Sequence, residues 1–378
     1  MKTRFMVIGY GWRADFFYRI ARLAPERFEI CAGVLRTPER ASQVAEEQGV
    51  FATADLEEAL KTEPEFAVLC VPRGIVKDYL VRLMERGIPV LTETPPGKDV
   101  QELEELWQEK VRLNGKVQVL EQYFLQPYYA AVQEIIRRGY LGQVSYVMLS
   151  ALHGYHAVSM YRKLLGIGWE NCTISGKRFY GDLTATNGRA GFEYSGRPIR
   201  AERDWAYLEF MPASSEKNGT LSEPACGESG IPKVALFDFS GEQYFSTIRR
   251  RRWNIQGTRG EVNDDTVDYL TCENQTARQE IRRLDIGLNN NSQWAHKGIM
   301  FGEKQVYENP FYPARMNDDE IAVASCLERM KKYVETGEAF YPLEEALQDT
   351  YLSFLLEEAV QSGKTVVSET KVWAKDNR

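Results

Sequence analysis

The first third of the chain repeats one pattern. A continuous apolar run typical of a buried strand is followed each time by a segment with the apolar spacing of an amphipathic helix. The apolar run Phe5 to Ile8 precedes a short glycine-rich turn and a segment, "DFFYRIARL", with the apolar spacing of a helix. Further apolar runs at Phe28 to Leu35 and Phe66 to Pro72 are typical of buried strands, and each precedes a helical segment that ends at a glycine. Continuous apolar strands separated by helices favour a parallel sheet covered on both faces. The pattern predicts a doubly wound parallel sheet over residues 1–120.

The pattern changes after residue 120. Strand-like segments such as "DWAYLEF", "KVALFDF", "EQYFSTIRRRRWNIQG" and "EVNDDTVDYLT" now dominate, and several of them alternate apolar and polar residues. Such alternation favours an antiparallel sheet with one wetter face. Two polar loops, at residues 212–232 and at "NNNSQ" near Asn290, and two closing helices complete the chain. Residues 121–378 are predicted to form a C-terminal α+β domain with an open, largely antiparallel sheet.

Composition narrows the possible partners and cofactors. A formal net charge of -7 over 378 residues argues against a nucleic-acid surface, and no apolar run reaches the ~20 residues that cross a bilayer. The N-terminal segment places Arg13 and Asp15 where a signal peptide needs an apolar core. The six cysteines are scattered without a CxxC pair, and the three histidines form no metal-binding motif. We therefore expect a reduced, cytoplasmic protein with no metal, nucleic-acid or membrane partner.

The first glycine turn carries a dinucleotide signature. Gly9 allows a tight turn, Gly11 lets the backbone approach a pyrophosphate, and the small Ala14 lets the helix pack on the strand. The amide groups at the start of the helix then face the anion. The run alone is weak, but the strands and helices on either side of it fit, so the sequence predicts a dinucleotide site.

The end of the second strand bears on the choice between NAD and NADP. An NAD enzyme usually has an acidic residue there for the ribose hydroxyls, but this chain has Leu35, Arg36 and Thr37. An arginine can pair with a 2'-phosphate. We predict NADP as the preferred cofactor, although an exposed, solvated Arg36 remains an alternative.

Taken in order, these segments resemble the glucose-fructose oxidoreductase and inositol dehydrogenase (Gfo/Idh/MocA) family over nearly the whole chain. The segments that carry the likeness are "VIGYGWRA", "LRTPERASQVAEEQG", "GIPVLTETPPGKD", "PYYAAVQEIIRRGYLGQV" and "WNIQGTRGEV". The resemblance implies an N-terminal Rossmann domain, a C-terminal domain with an open sheet, and a nicotinamide between them. It also implies that residues 121–378 serve substrate binding and oligomerisation, and that the protein is a homodimer or homotetramer.

The chain departs from that family at its expected catalytic residues. The family usually carries Glu-Lys-Pro at the fourth strand, and the match here is Glu93-Thr94-Pro95. A threonine can hydrogen-bond a substrate oxygen but cannot act as a general acid. Lys98, four residues on, either reaches back or is solvated. Some relatives that lack the lysine, such as biliverdin reductase, still transfer hydride, so its loss does not exclude redox activity.

The segment "HGYH" is the best local candidate for acid-base chemistry. Alignment with the family on "RKLLG" places its histidine at His156, whereas the family's aspartates correspond to Leu152 and Ser159. A histidine titrating near neutrality could supply the proton that accompanies hydride transfer. His156 and His153 could equally be packed at the start of a helix. Tyr123 and Tyr155 could line a substrate pocket or the core.

A run of arginines from Arg249 to Arg252 has two interpretations. Alternation across a strand would place two of them toward solvent and two on the sheet's other side. A cluster that binds an acidic substrate is the alternative, because arginine favours carboxylates and phosphates.

The sequence thus predicts an NAD(P)-dependent oxidoreductase of a small polar substrate, sugar-like or containing a carbonyl or imine. The alternative is a nucleotide-binding sensor or scaffold without turnover. The predicted catalytic residues are His156 and Thr94, and the predicted substrate residues are Tyr123, His153 and Tyr155. The predicted cofactor-binding residues are Gly9, Gly11, Trp12, Arg13, Ala14, Arg36, Thr37, Val71, Pro72, Glu93 and Thr94.

Overall fold

The structure, a computed structural model, describes residues 2–188, 191–193, 195–211, 232–287 and 294–375. The predicted polar loops at residues 212–231 and at "NNNSQ" lie outside this range. The chain forms two compact units. The first comprises Met1–Ala131, Arg283–Ile299 and Gln305–Thr350, and the second comprises Val132–Arg282, Met300–Lys304 and Tyr351–Arg378. The predicted domain boundary at residue 120 stays a prediction.

The elements are numbered in chain order. Up to residue 137 they are β1 (Thr3–Ile8), α1 (Trp12–Leu23), β2 (Phe28–Val34), α2 (Pro38–Gln48), β3 (Ala52–Thr53), α3 (Leu56–Leu60), β4 (Phe66–Leu69), α4 (Val76–Glu85), β5 (Val90–Thr92), α5 (Val100–Arg112), β6 (Val117–Val119) and α6 (Pro127–Arg137). Beyond it they are β7 (Val144–Ser150), α7 (Gly154–Leu165), β8 (Cys172–Thr184), β9 (Asn187–Gly188), β10 (Gly191–Phe192), β11 (Pro198–Phe210), β12 (Lys233–Phe239), β13 (Arg252–Gly257), β14 (Gly260–Asn263), β15 (Thr266–Leu270), β16 (Thr276–Gly287), β17 (Trp294–Phe301), β18 (Lys304–Glu308), α8 (Asp318–Thr336), α9 (Leu343–Ser362), β19 (Val366–Val367) and α10 (Val372–Lys375).

The first unit contains a six-stranded parallel sheet in the order β3-β2-β1-β4-β5-β6. This order confirms the predicted Rossmann sheet. The chain reverses direction across the sheet between β1 and β4, which is where open α/β sheets bind ligands, outside the carboxyl ends of the strands. Helix α8, although far along the chain, packs on α1, β1 and β4 in this unit.

Local sequence explains where the helices of the first unit begin and end. At the start of α2 the Thr37 side chain accepts the backbone N–H of Arg40, and Pro38 occupies the first helical position. The helix ends at Gly49, whose φ of 68° lies in the left-handed region. Asn317 and Glu320 form a reciprocal capping box at the start of α8. These caps fix the positions of the side chains that follow them.

The second unit is built on a mixed, largely antiparallel sheet. Its strands follow the order β16-β15-β14-β13-β7-β12-β11-β8-β19, in which β7 and β12 are parallel and the other pairs are antiparallel. Helix α7 packs on β7 and β12. This arrangement confirms the predicted class of the C-terminal fold.

Two strand assignments from the sequence are wrong. The segment "EQYFSTIRRRRWNIQG" does not form one strand, because Gly241–Tyr244 is a 3-10 turn and β13 begins only at Arg252. The segment "EVNDDTVDYLT" forms two strands, β14 and β15, because the backbone turns at Asp264, where φ is 50°. Aspartate tolerates this left-handed conformation better than most residues.

The described residues lack two features of other classes of protein. None of the helices there combines the length and the apolar character needed to cross a membrane. The same residues include no group of three or more His, Cys, Asp or Glu side chains that could hold a metal ion.

Candidate functional site

The glycine turn between β1 and α1 brings bare backbone to the carboxyl edge of the parallel sheet. Gly9 has a φ of 98°, and a Cβ atom there would lie 2.2 Å from the carbonyl oxygen of Cys70. Only glycine fits this position. A Cβ atom on Gly11 would meet nothing within 4 Å, so the space beside this residue is open. Gly11 caps α1 without a side-chain hydrogen bond, which leaves the first amides of the helix to an external acceptor.

A cavity of about 850 Å³ opens beside this turn, entirely within the first unit. Eight of the predicted cofactor-binding residues line it: Gly9, Gly11, Arg13, Ala14, Arg36, Val71, Pro72 and Glu93. Residues that sequence reasoning did not assign also line it: Ile8, Tyr10, Val34, Leu35, Arg40, Cys70, Ile75 and Tyr79. Of the other predicted residues, Trp12, Thr37 and Thr94 do not line the cavity. Contact of these residues with a cofactor stays a prediction.

One end of the cavity is basic. Leu35 is buried at the end of β2, and the exposed Arg36 that follows has no acidic partner among the described residues. The guanidinium of Arg40 lies 4.9 Å from the ring centroid of Tyr10. The Tyr10 hydroxyl is held in turn by Gln48, whose amide donates to it at 2.6 Å. Two arginines and a fixed aromatic ring therefore replace the acidic residue that an NAD site usually has.

The inner end of the cavity holds an arginine between two carboxylates. Arg13 lies with Nε 3.5 Å from Oε1 of Glu93 and with Nη1 2.8 Å from Oδ2 of Asp319. The side-chain amides of Gln122 and Gln126 donate to Oδ1 of Asp319 at 3.0 and 3.2 Å. We refer to these five residues as the Arg13 cluster. The Arg13 guanidinium pairs with two protein carboxylates, so Arg13 faces the cavity as part of an ion-pair network.

Burial and charge act in opposite directions on this cluster. Burial raises the pKa of Glu93 to about 7, although the nearby Arg13 guanidinium opposes the shift. Burial also disfavours ionisation of Asp319, but Arg13 and the Gln122 amide outweigh it and hold the pKa of Asp319 below its usual value. Burial would lower the pKa of Arg13, and the two carboxylates instead raise it. Glu93 is therefore the group in this cluster whose charge changes near neutral pH.

Thr94, predicted from the family resemblance to replace a lysine, is half-buried. Thr94 follows Glu93 after β5, and its backbone N–H donates to Oε2 of Glu93 at 3.4 Å. The Thr94 hydroxyl has no hydrogen-bond partner among the described residues. Lys98 is 56% exposed and pairs with Glu102 at 3.2 Å, so it does not reach back toward Thr94.

The predicted substrate residues divide between the two units. Tyr123 lies in the first unit, in a 3-10 turn, close enough to Arg13 to raise its pKa slightly. His153, Tyr155 and His156 lie in the second unit at the start of α7.

The start of α7 gathers aromatic and basic groups. His153 is exposed and caps the helix, and its Nδ1 lies 2.7 Å from the hydroxyl of Tyr244. The same hydroxyl accepts the backbone N–H of His153 at 3.1 Å. The ring of His156 is buried, with its centroid 4.8 Å from that of His153 and 5.3 Å from that of Tyr155. Leu152 and Ser159, predicted from the family resemblance to replace aspartates, are both fully buried.

Sequence reasoning missed three groups that the fold brings to these sites. Asp319 hydrogen-bonds Arg13 although 306 positions separate them in the chain, and Tyr244 hydrogen-bonds His153 although 91 positions separate them. No short-range pattern signals such pairs. Arg40 could have been identified from the sequence, because it lies four residues after Arg36, in the first turn of the helix that begins at Pro38.

Comparison with a family model identifies the N-terminal part of the chain. Residues 3–121 match the Gfo/Idh/MocA model, described as an oxidoreductase family with an NAD-binding Rossmann fold. A curated relative, the Bacillus subtilis (strain 168) protein named "Putative oxidoreductase YteT", is 23% identical over 252 residues, which are 65% of this chain and 52% of the relative. The chain thus spans about half the length of this curated relative.

Solved structures share the fold over almost the whole chain. An oxidoreductase from Agrobacterium radiobacter, in complex with NAD+, L-tartaric acid and magnesium, has a TM-score of 0.64 at 14% identity and covers 97% of this chain and 98% of its own. The scyllo-inositol dehydrogenase from Lactobacillus casei, with NAD(H) and scyllo-inositol, has a TM-score of 0.61 at 13% identity and covers 97% and 99%. At these identities the likeness shows the fold.

Proposed function

We propose that the chain is a member of the Gfo/Idh/MocA oxidoreductase family, whose model matches residues 3–121, and that it is an NAD(P)-dependent enzyme that transfers hydride to or from a small polar substrate. The cavity at the carboxyl edge of the parallel sheet carries this proposal. It combines the bare backbone of Gly9 and Gly11, the uncapped start of α1 and a basic end at Arg36. These features fit a dinucleotide, because helix amides bind a pyrophosphate and an arginine pairs with a 2'-phosphate.

Residues of each of the two units are assigned a role in this proposal. A bound nicotinamide supplies or accepts the hydride. The Thr94 hydroxyl, which lacks a protein partner among the described residues, hydrogen-bonds a polar substrate atom. His156 supplies the proton that accompanies reduction, because an imidazole titrates close to neutral pH. Sugar-like molecules and small carbonyl or imine compounds are the proposed substrates, since related structures contain scyllo-inositol and L-tartaric acid.

The proposal is tested by separating binding from turnover. NADPH binding is measured by fluorescence, and a panel of carbonyl, imine and polyol compounds is then assayed for consumption of NADPH or reduction of NADP+. Tight binding together with turnover of at least one compound supports the enzyme. Tight binding with no turnover across the panel instead supports a sensor or scaffold, and no binding of either dinucleotide rejects both.

Cofactor preference gives a quantitative prediction. We expect NADPH to bind more tightly than NADH, because Arg36 and Arg40 line the basic end of the cavity and the residues directly after β2, Leu35 to Thr37, include no acidic side chain. Arg36→Ala should weaken NADPH binding by roughly tenfold or more, the loss expected for a charge-assisted hydrogen bond, and should change NADH binding little. Fluorescence titration of both cofactors measures the difference.

Arg86→Ala is the matched control for this prediction. Arg86 pairs with Glu57 at the surface and does not line the cavity, so its loss should leave both affinities unchanged. Equal affinity of the wild-type protein for NADPH and NADH would contradict the NADP assignment.

Assembly gives a second prediction, drawn from the open face of the second unit's sheet. Trp205 is 42% exposed and Phe179 is 47% exposed, and they alternate on this face with Lys177 and Arg203 across the β8–β11 pair. On the opposite face Ile174, Ala206 and Leu208 are buried. We propose that a second copy of the chain covers the open face, because large exposed apolar side chains on a sheet favour an interface.

Static light scattering at micromolar concentration should therefore give a mass of at least twice 43.3 kDa. Trp205→Glu should lower the mass toward that of the monomer. Phe192→Glu is the control, because Phe192 is exposed on β10, outside the sheet that contains Trp205. A monomeric wild-type protein would refute the proposed assembly.

A further inference from the structure

The four arginines from Arg249 to Arg252 do not alternate across a strand. Arg249, Arg250 and Arg251 precede β13, and all four side chains are exposed. The interpretation that two of them face the other side of the sheet is therefore wrong. We call this segment the arginine run.

Several other arginines of the second unit have carboxylate partners. Arg178 pairs with Asp204 and Arg278 pairs with Asp268, each at 2.7 Å. In the part of the chain that the structure describes, no arginine of the run forms an ion pair with an aspartate or glutamate. Four adjacent cations without a carboxylate repel one another, and an anion would relieve that repulsion.

A buried glutamine fixes the run beside the end of β7. The side-chain amide of Gln243 donates to the carbonyl of Arg250 at 3.0 Å and to the carbonyl of Ser150 at 2.9 Å. Arg252 lies directly opposite Ser150 in the β13–β7 pair. The backbone of the arginine run is thus held beside Ser150, which precedes His153 by three residues. The positions of the arginine charges are therefore defined.

Tyr244 connects the run to the histidines of α7. The guanidinium of Arg251 lies 5.5 Å from the ring centroid of Tyr244, whose hydroxyl bonds His153. The ring of His153 packs edge to face against His156, the proposed proton donor. Within one unit, the arginine run, an aromatic hydroxyl and two imidazoles therefore form a continuous group.

We propose that the substrate carries a carboxylate or phosphate group and that Arg250 and Arg251 bind this anion beside His153. This inference rests on the proposed function and specifies its substrate class. A small anion suits the run better than a nucleic acid does, because the basic charge is confined to one short segment of a protein whose net charge is -7. The planar guanidinium also matches a carboxylate or phosphate with two parallel hydrogen bonds.

Calorimetric titration of the full chain tests this inference without requiring turnover. The probes are D-gluconate, D-glucose 6-phosphate and D-glucose, which separate carboxylate, phosphate and neutral ligands of similar size. We expect at least one anion to bind roughly tenfold more tightly than glucose in about 50 mM NaCl, and less tightly in about 300 mM NaCl. Arg251→Ala should weaken binding of that anion by roughly tenfold, and Arg251→Lys by less.

Arg282→Ala is the matched control, because Arg282 is exposed in the same unit and lies outside the run. NADPH binding checks that each variant is folded. Failure of both anions to bind better than glucose overturns the inference, as does an anion affinity that Arg251→Ala leaves unchanged. Neither result affects the proposed oxidoreductase activity, which is decided by NADPH binding and the turnover panel.

Discussion

His156→Ala should lower turnover by about 10²- to 10⁴-fold, the usual effect of removing a general acid, while the dissociation constant for NADPH stays nearly unchanged. His156 lies in the second unit at the start of α7, whereas the cavity proposed for the dinucleotide is lined by residues of the first unit. Loss of the imidazole should therefore affect the chemical step and leave dinucleotide binding intact. Steady-state kinetics with any substrate found in the panel, together with NADPH titration, measure both quantities.

A second variant separates proton transfer from packing. His156 is buried against the rings of His153 and Tyr155, so alanine also leaves a cavity that could destabilise α7. His156→Gln keeps a polar side chain of similar size but cannot titrate. If His156→Gln unfolds like the wild type yet loses as much turnover as His156→Ala, the imidazole acts as an acid. Full turnover in either variant would make His156 structural.

The fold of the first unit was predictable because its signals are local. Each strand is a continuous apolar run, and glycines mark the turn after β1 and the ends of two helices. Gly9 shows why such signals are reliable, since the space beside it admits no Cβ atom. Arg36 was predicted to bind the cofactor on the same kind of local evidence, because the end of β2 can be located from the sequence.

The second unit was less predictable because its strands carry many charges. Strand β16, "TARQEIRRLDIG", has few apolar residues, and most of its side chains are exposed or half-buried, so its hydrophobic pattern is weak. The arginine run was assigned to a strand because the apolar residues on both sides suggested continuity. The 3-10 turn at Gly241–Tyr244, fixed by the capping box of Ser240 and Gln243, interrupts that continuity.

The charged environment of the nucleotide cavity depends on contacts that no sequence window contains. Arg13 falls inside the glycine motif and was expected to bind the cofactor, but its position could not reveal that Asp319 of α8 lies beside it. A raised carboxyl pKa likewise needs burial as well as sequence position. Glu93 was identified by its place after β5, whereas its proton affinity follows from the way the unit packs around it.

Arg13→Met should lower the free energy of unfolding by about 3–5 kcal/mol at pH 8, because it leaves two buried carboxylates without their cation. The side chains of Arg13 and Glu93 are each only 18% exposed, so water replaces little of the lost interaction. Methionine keeps an unbranched apolar chain beside the rings of Trp12 and Phe16, which the Arg13 guanidinium now contacts. Urea denaturation at fixed pH measures the change.

The loss should be smaller at pH 5 than at pH 8. The pKa of Glu93 in the folded protein, about 7, lies above the ordinary carboxyl value, so its contribution to stability is present at low pH and is lost as the pH rises through 7. In the wild-type protein Arg13 lowers the pKa of Glu93 and so reduces the stability that is lost as the pH rises. Arg13→Met removes this effect, so the variant loses more stability at high pH. Asp319 does not add to this difference, because its lowered pKa stabilises the folded state above the ordinary aspartate value of about 3.9, and both pH 5 and pH 8 lie above that value. Arg112→Met, which breaks a surface pair with Glu109, is the control and should leave stability unchanged at both pH values. An equal loss at pH 5 and pH 8 would show that Arg13 stabilises the unit through packing and not through charge.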